Sequence, residues 1–172
     1  MNVASAMMSS GTETRTKAQI AEDIEFLGAS FNASANGFSA RSLSKHTDTL
    51  LEIVADAVLH PTFPQEELDK GKTQMGSNLA NIGTSPGEIA SNLVASVNYG
   101  ELHPYGEVMT EESLEAIAKE DLQAYHKKYF RPNVAYLIAI GDITPEEAQV
   151  KANKHFGTWR RRNIPFERVL PP

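Results

Sequence analysis

The residues that could bind a metal or move a proton are scattered along the 172-residue chain. Its histidines are His46, His60, His103, His126 and His155, and no two of them stand three or four residues apart. Since two ligands on one helical face need that spacing, the pattern favours histidines at the surface or at helix ends over a helical zinc site. Cysteine is absent, which excludes disulfides, thiolate catalysis and cysteine-ligated zinc.

The carboxylates also favour a structural role. The doublets Glu66-Glu67, Glu111-Glu112 and Glu146-Glu147 each fall in the first turn of a predicted helix, where they complement the helix dipole. There is no Gly-x-Ser-x-Gly nucleophile motif, and the segment Gly71-Lys72-Thr73 lacks the earlier glycine of a phosphate-binding loop. These patterns predict no catalytic pair and no activated nucleophile.

Composition removes two further classes of function. With 16 basic and 22 acidic residues the net charge is −6, which disfavours binding to nucleic acid. No apolar stretch approaches the roughly 20 residues of a membrane span. We therefore expect no nucleic-acid partner and no membrane span.

The helices and strands that would position any site can be predicted from the spacing of apolar residues along the chain. Thr16 caps a helix that ends at Gly28, and alternating residues at 29–35 and 38–44 flank Asn36-Gly37, a strong hairpin signal. Further helices are predicted at about 46–60, 64–82, 110–117, 119–129 and 144–156. After a break at 83–86, another helix carries Ile89, Leu93, Val94 and Val97 and stops at Gly100. Residues 134–140 are continuously apolar, which predicts a strand buried on both faces.

This order predicts an α+β fold of two layers, a mostly antiparallel sheet with several helices packed on one face. Residues 1–162 are expected to form a single domain, and residues 163–172 a linker or tail. Three strands are few for this many helices, so further strands are expected before Met1. We expect their absence to leave an apolar helix face uncovered at Val3, Met7 and Met8, so that the isolated chain self-associates.

Several segments resemble one family of zinc metallopeptidases, the insulinase, pitrilysin and mitochondrial processing peptidase family. Residues 11–16, Gly-Thr-Glu-Thr-Arg-Thr, resemble the segment after its catalytic helix, together with residues 20–22 and 27–29. Other matching pieces follow in the family's order, at 61–63 with 67–68, 103–106, 121–129 with 132–133, 141–142 and 156–159. The resemblance covers nearly the whole chain.

The resemblance implies that this chain lacks the family's metal site. Members carry the inverted motif His-x-x-Glu-His, in which two histidines bind zinc and the glutamate activates water. A later helix carries two glutamates seven residues apart, and the second completes the zinc site. The corresponding places here are Asn2, Ser5 and Ala6, followed by Gly71 and Asn78. We therefore expect no catalytic residue and no metal ligand in this chain, with zinc held by a partner half.

The family is built from paired halves, of which one holds zinc and the other closes a chamber around the peptide. The resemblance implies a non-catalytic half or subunit whose partners are an active zinc-peptidase half and an unfolded or extended peptide. Peptides would add to a strand formed by Phe31, Asn32, Ala33, Ser34 and Ala35.

Two alternatives stay open. One is a scaffold or assembly protein that keeps the fold without any peptidase partner, and the other is an active peptidase whose metal site comes from residues not recognised in the sequence. The compartment also stays open, between a bacterial periplasm or cell envelope and the cytoplasm.

Overall fold

The described part of the chain is mainly helical and contains one antiparallel hairpin. The computed structural model describes residues 3–34, 36–100 and 103–164. Its helices are α1 (Val3–Met7), α2 (Lys17–Phe26), α3 (Thr47–Leu59), α4 (Gln65–Ile82), α5 (Pro86–Tyr99), α6 (Glu111–Ala116), α7 (Lys119–Tyr129) and α8 (Pro145–Phe156). The strands β1 (Ser30–Ser34) and β2 (Gly37–Arg41) pair antiparallel, and short 3-10 turns occupy Ser44–His46 and Pro132–Val134. The predicted α+β class with an antiparallel sheet is confirmed. None of the described helices combines the length and the apolar character needed to cross a membrane.

Local sequence sets the helix starts. Thr16, Thr110 and Thr144 each accept a hydrogen bond from the backbone N–H three residues on, and the side chain at that position bonds back to the cap residue. Such capping boxes satisfy two of the amide donors that a helix start would otherwise leave unpaired. The helices that follow therefore begin one residue after a threonine.

The chain divides into two compact units. Unit 1 consists of Met1–Leu68 and Lys119–Ile164, and unit 2 contains Asp69–Ala118. In unit 1, α3 supplies the largest share of the described core. Its Ile53 packs against Ile20 and Leu27, and its Leu50, Val54 and Val58 form a second cluster. Phe156 and Trp159 pack against this second cluster. The predicted single domain at 1–162 and tail at 163–172 remain predictions, and residues 165–172 lie outside the described part of the chain.

Unit 2 consists mainly of α4, α5 and α6. Lys72 on α4 donates through Nζ to the backbone oxygen of Glu115 on α6, 2.7 Å away. After α5, Gly100 adopts φ +80°, and the backbone folds back so closely that a Cβ on Gly106 would lie 2.1 Å from the Gly100 oxygen. Only glycine fits at residue 106 in this turn.

The expected uncovered face at the start of the chain was wrong. Val3, Met7 and Met8 are buried, with 3%, 1% and 1% exposure, and α1 lies against β1. Because β1 and its surroundings already cover this helix, these residues give no basis for self-association.

The predicted buried strand at 134–140 was also wrong. Residue 134 ends a 3-10 turn, residues 135–140 carry no regular secondary structure, and Tyr136 and Ile140 are 94% and 93% exposed. A strand exists only when a neighbouring strand pairs with it, and none of the described residues pairs with this segment. The apolar run therefore showed that these side chains favour burial, but it could not show whether another strand pairs with the segment.

Candidate functional site

The places that the family resemblance assigns to zinc hold no ligand set that the structure describes. Ser5 lies in α1, and Gly71 and Asn78 lie in α4, where Asn78 accepts a hydrogen bond from Gln74 at 3.4 Å. Asn2 and the side chain of Ala6 lie outside the described residues. Over the described ranges, no three His, Asp or Glu side chains come together in a way that could hold a metal ion. A serine, a glycine and an amide do not fit a zinc ion, which takes imidazole, thiolate and carboxylate ligands.

The histidines are instead engaged separately. His60 lies 3.4 Å from Asp56 and His155 lies 3.2 Å from Asp48. His126 contacts the backbone oxygen of Val58 at 2.7 Å. His60 thus contacts its own helix α3, whereas His126 and His155 join α7 and α8 to α3, and none of the three shares a partner atom with another.

The proposed peptide strand lies at the edge of the hairpin. The register pairs Phe31 with Ala40, Ala33 with Phe38 and Ser34 with Gly37. On its other side β1 pairs with no further strand among the residues described. The four described residues of the predicted site thus lie on one strand, and the fifth, Ala35, lies outside the described part.

Hairpin geometry decides which backbone groups face outward. In a hairpin with a two-residue loop the closing pair, here Ser34 and Gly37, exchanges both hydrogen bonds, and such pairs alternate along the ladder. Ser34 and Asn32 therefore direct their N–H and C=O groups toward β2. Phe31 and Ala33 direct theirs to the open edge, which makes them the residues that could pair with an added strand.

Side chains divide the same residues into two roles. The Phe31 ring stacks on Phe38 at 5.9 Å and packs against the core of unit 1. The Ser34 hydroxyl donates to the backbone oxygen of Gly37 at 3.0 Å and accepts from the N–H of Asn36 at 3.3 Å. Phe31 thus fixes the strand on the core and Ser34 fixes the turn, while small Ala33 leaves room beside the backbone.

The 11–16 segment has a role that its motif alone did not indicate. Thr12 and Thr14 donate through their hydroxyls to Oδ2 of Asp56 on α3, at 2.5 and 2.6 Å, and Arg15 Nη1 reaches the same oxygen at 3.2 Å. Burial opposes ionisation of Asp56, but the bonds from Thr12, Thr14 and Arg15 outweigh it and lower the pKa of the carboxyl. The segment therefore anchors the start of α2 to α3.

A pocket of about 460 Å³ lies beside this anchor, between residues 10–19 and residues 62–67. Its cationic side chains are already paired. Arg15 contacts Asp23 at 3.1 Å and Glu52 at 2.8 Å in addition to Asp56, and Lys17 contacts Glu67 at 2.5 Å. The charges around this pocket thus serve the fold.

The sequence matches two protein-family models. Residues 3–112 match the family model described as insulinase (peptidase family M16), and residues 116–172 match the peptidase M16 inactive domain. The chain belongs to the insulinase family. The resemblance to this family stated from the sequence is confirmed.

Curated members of the insulinase family align over most of the chain. An uncharacterized zinc protease, YmxG of Bacillus subtilis, is 27% identical over 163 residues, covering 91% of this chain and 39% of that protein. The human mitochondrial-processing peptidase subunit beta is 23% identical over 170 residues, covering 94% of this chain and 34% of the subunit. The chain spans less than two fifths of the length of these relatives.

Solved structures show the same fold. A peptidase M16 inactive domain from Pseudomonas fluorescens superimposes with a TM-score of 0.84 at 24% identity, covering 99% of this chain and 43% of that one. A protease from Helicobacter pylori gives 0.83 at 16% identity, with the same coverage. The fold of this chain is thus that of M16 domains.

Proposed function

We propose that this chain is the non-catalytic partner in an insulinase-type zinc peptidase, and that it helps an active half to hold an extended peptide in a closed chamber. The observation that carries this proposal is the open edge of β1, where Phe31 and Ala33 present unpaired backbone groups. Zinc and the water-activating glutamate would belong to the active half. The relatives' names as zinc protease and processing peptidase support the substrate class, an unfolded or extended polypeptide.

The edge has the properties that backbone recognition requires. An extended peptide added to a strand gains its affinity from main-chain hydrogen bonds, which need no particular side chain on the receptor. Ala33 is small, and the core holds Phe31 in place through its ring, so the strand is preorganised. Such a surface suits a protein that accepts many peptide sequences.

Two proline substitutions test the edge. In Ala33→Pro the lost N–H faces the open edge of β1, so the hairpin ladder keeps its bonds, and proline is tolerated at edge positions of this kind. In Ala40→Pro, the matched control, the lost N–H faces the outer edge of β2. Binding of a fluorescein-labelled, reduced and carboxymethylated α-lactalbumin to the 172-residue chain would be followed by anisotropy. Ala33→Pro should weaken it about tenfold, through one lost hydrogen bond and the steric block by the ring.

The Ala40→Pro control distinguishes loss of the β1 edge from a general effect of proline on the hairpin. Ala40→Pro should bind the labelled polypeptide as the unchanged chain does, and circular dichroism should show both variants folded. Equal losses in both variants, or a loss only in Ala40→Pro, would exclude the β1 edge. If the unchanged chain does not bind the unfolded polypeptide at all, the scaffold alternative, a fold kept without a peptidase role, is favoured.

A further inference from the structure

His126 lies where α7 meets α3 in unit 1, and its ring is partly buried against two aromatic side chains. It stacks on Phe130 at 4.9 Å and makes a T-shaped contact with Phe63 at 6.1 Å. Its Nε2 lies 2.7 Å from the backbone oxygen of Val58. Because a carbonyl oxygen only accepts, Nε2 must carry the proton, and Nδ1 of the neutral imidazole carries none.

The surroundings of this ring favour its neutral form. Burial lowers the pKa of His126, and the nearby Arg131 and His60 lower it further by repelling a second proton. The last acid of α3, Asp56, contacts His60 at 3.4 Å, and none of the described carboxylates contacts the His126 ring. A protonated ring therefore has no opposite charge beside it in this position, and it is better placed in water.

Phe63, on one side of the ring, adopts a backbone conformation that its neighbours must maintain. Its φ is +50°, in the left-handed region that disfavours residues with a Cβ, and its side chain is 2% exposed. Such a conformation persists only while the surrounding contacts hold it. Since the His126 ring is one of these contacts, its departure would let the backbone at Phe63 relax.

A series of ring contacts leads from His126 to the β1 edge. Phe130 makes a T-shaped contact with Phe38 of β2 at 6.0 Å, and Phe38 stacks on Phe31 of β1 at 5.9 Å. Phe31 fixes β1 on the core and also presents backbone groups at the open edge. The position of that edge therefore depends on packing that begins at His126.

We propose that protonation of His126 releases the end of α7 from α3 and, through Phe130 and Phe38, loosens the hairpin, so that the β1 edge releases its peptide in acid. This regulation rests on the function proposed above. In the open form the ring faces water and has the ordinary histidine pKa of about 6.5, so a falling pH favours this form. From pH 7.5 to 5.5 the ratio of open to closed molecules rises by up to about tenfold.

Trp159 detects this movement without any peptide. It is the only tryptophan, and its Nε1 donates to the backbone oxygen of Phe130 at 3.3 Å. Between pH 7.5 and 5.5 its fluorescence in the unchanged chain should shift to longer wavelength as this bond is lost. His126→Gln keeps an N–H for Val58 but does not titrate, so it should show no shift. His46→Gln, the matched control, changes a histidine that makes no side-chain capping bond to α3, and it should behave as the unchanged chain does.

Two measurements separate local opening from unfolding. Far-UV circular dichroism of the unchanged chain should stay constant over the same pH range. Amide hydrogen exchange, followed by NMR, should show the protection factors of Asn32 and Ser34 falling by up to about tenfold, since their N–H groups face β2. In His126→Gln these protection factors should not change.

Peptide binding is compared at the same two pH values with the labelled polypeptide used above. Relative to His126→Gln, the unchanged chain should show a dissociation constant that rises about twofold or more at pH 5.5, because fewer molecules are competent to bind. Phe38→Leu interrupts the ring contacts. It should therefore keep the Trp159 shift and lose this pH dependence of binding.

Each outcome decides the proposal. A Trp159 shift that persists in His126→Gln overturns it, and so does a shift that circular dichroism follows in step, or unchanged exchange at Asn32 and Ser34. Equal pH dependence of binding in the unchanged chain and His126→Gln would show that His126 does not regulate the edge. A chain that binds no polypeptide at pH 7.5 refutes the function proposed for the edge, whereas fluorescence and exchange still decide whether His126 opens the hairpin. All three changes together, absent from His126→Gln, establish the regulation.

Discussion

Two aspartates on α3 differ in their surroundings, so replacing each by alanine should lower the free energy of unfolding by different amounts. Asp56 is 11% exposed and accepts hydrogen bonds from Thr12, Thr14 and Arg15. Asp48 is 48% exposed and contacts the side chains of Lys151, Lys154 and His155. The comparison isolates the contribution of shielded hydroxyl donors from that of exposed ion pairs.

The magnitude for Asp56→Ala follows from its partners. A shielded hydrogen bond to a charged group contributes about 1.5–3 kcal/mol to stability. The hydrogen bond from Thr12 to Asp56 is only partly buried, so we assign it a value near the lower limit. The Thr14 bond and the Arg15 pair are more exposed, so each adds about 0.5–1 kcal/mol. The free energy of unfolding should therefore fall by about 3 kcal/mol, which lowers Tm by about 6–12 °C in a chain of this size.

Urea unfolding at pH 7 measures both variants. Asp48→Ala should lose clearly less than Asp56→Ala, and its loss should shrink further in 1 M NaCl, because salt screens exposed pairs far more than shielded ones. If both variants lost the same free energy, or if salt removed the Asp56 effect, the account of the 11–16 segment as a shielded anchor would be refuted.

Three further substitutions test local features. Gly76→Ala should raise the free energy of unfolding by about 0.5–1 kcal/mol in urea, since its Cβ meets open space within α4. Gly106→Ala should lower it by about 1–3 kcal/mol, because the added Cβ would overlap the Gly100 oxygen; an unchanged Tm would show that this turn relaxes freely. Burial lowers the pKa of His126 in the folded chain, so as the pH falls the imidazole is protonated in the unfolded chain before it is protonated in the folded one, and the free energy of unfolding decreases below about pH 6.5. Lowering the pH from 7.5 to 5 should therefore reduce the free energy of unfolding of the unchanged chain more than that of His126→Gln. Parallel curves of this free energy against pH would contradict the prediction.

Local signals predicted most elements of this fold. Thr16 before an apolar helical period, Asn36-Gly37 between alternating residues, and Pro64 and Pro145 at first helical turns all act within a few residues. The observed bounds of α2, β1, β2, α4 and α8 agree with them within one or two residues at most ends. Short-range rules were sufficient because capping and turn formation are short-range interactions.

Long-range partners could not be predicted in this way. The apolar period at 134–140 indicates that the segment favours burial, but only a second strand could provide it. Similarly, Thr12 and Thr14 read as loop residues, and nothing nearby in sequence indicates that their partner is Asp56, more than forty positions later. The open edge of β1 at Phe31 and Ala33 was predicted only through the family resemblance, and its use by a peptide stays a prediction.

The division of unit 1 into two chain segments has a consequence for synthesis. Helix α3 emerges from the ribosome early, whereas α8, which packs on it through Asp48 and Lys151, ends only at residue 156. At typical elongation rates of about 5–20 residues per second, the apolar side of α3 waits roughly 5–19 s for that helix. Unit 2, which is built largely from the contiguous stretch Asp69–Ala118, is translated during this interval. A newly made chain thus passes through a stage in which unit 2 can be complete while the side of α3 that Phe156 and Trp159 will cover is still exposed. A chaperone that binds apolar helices would find its target at that stage.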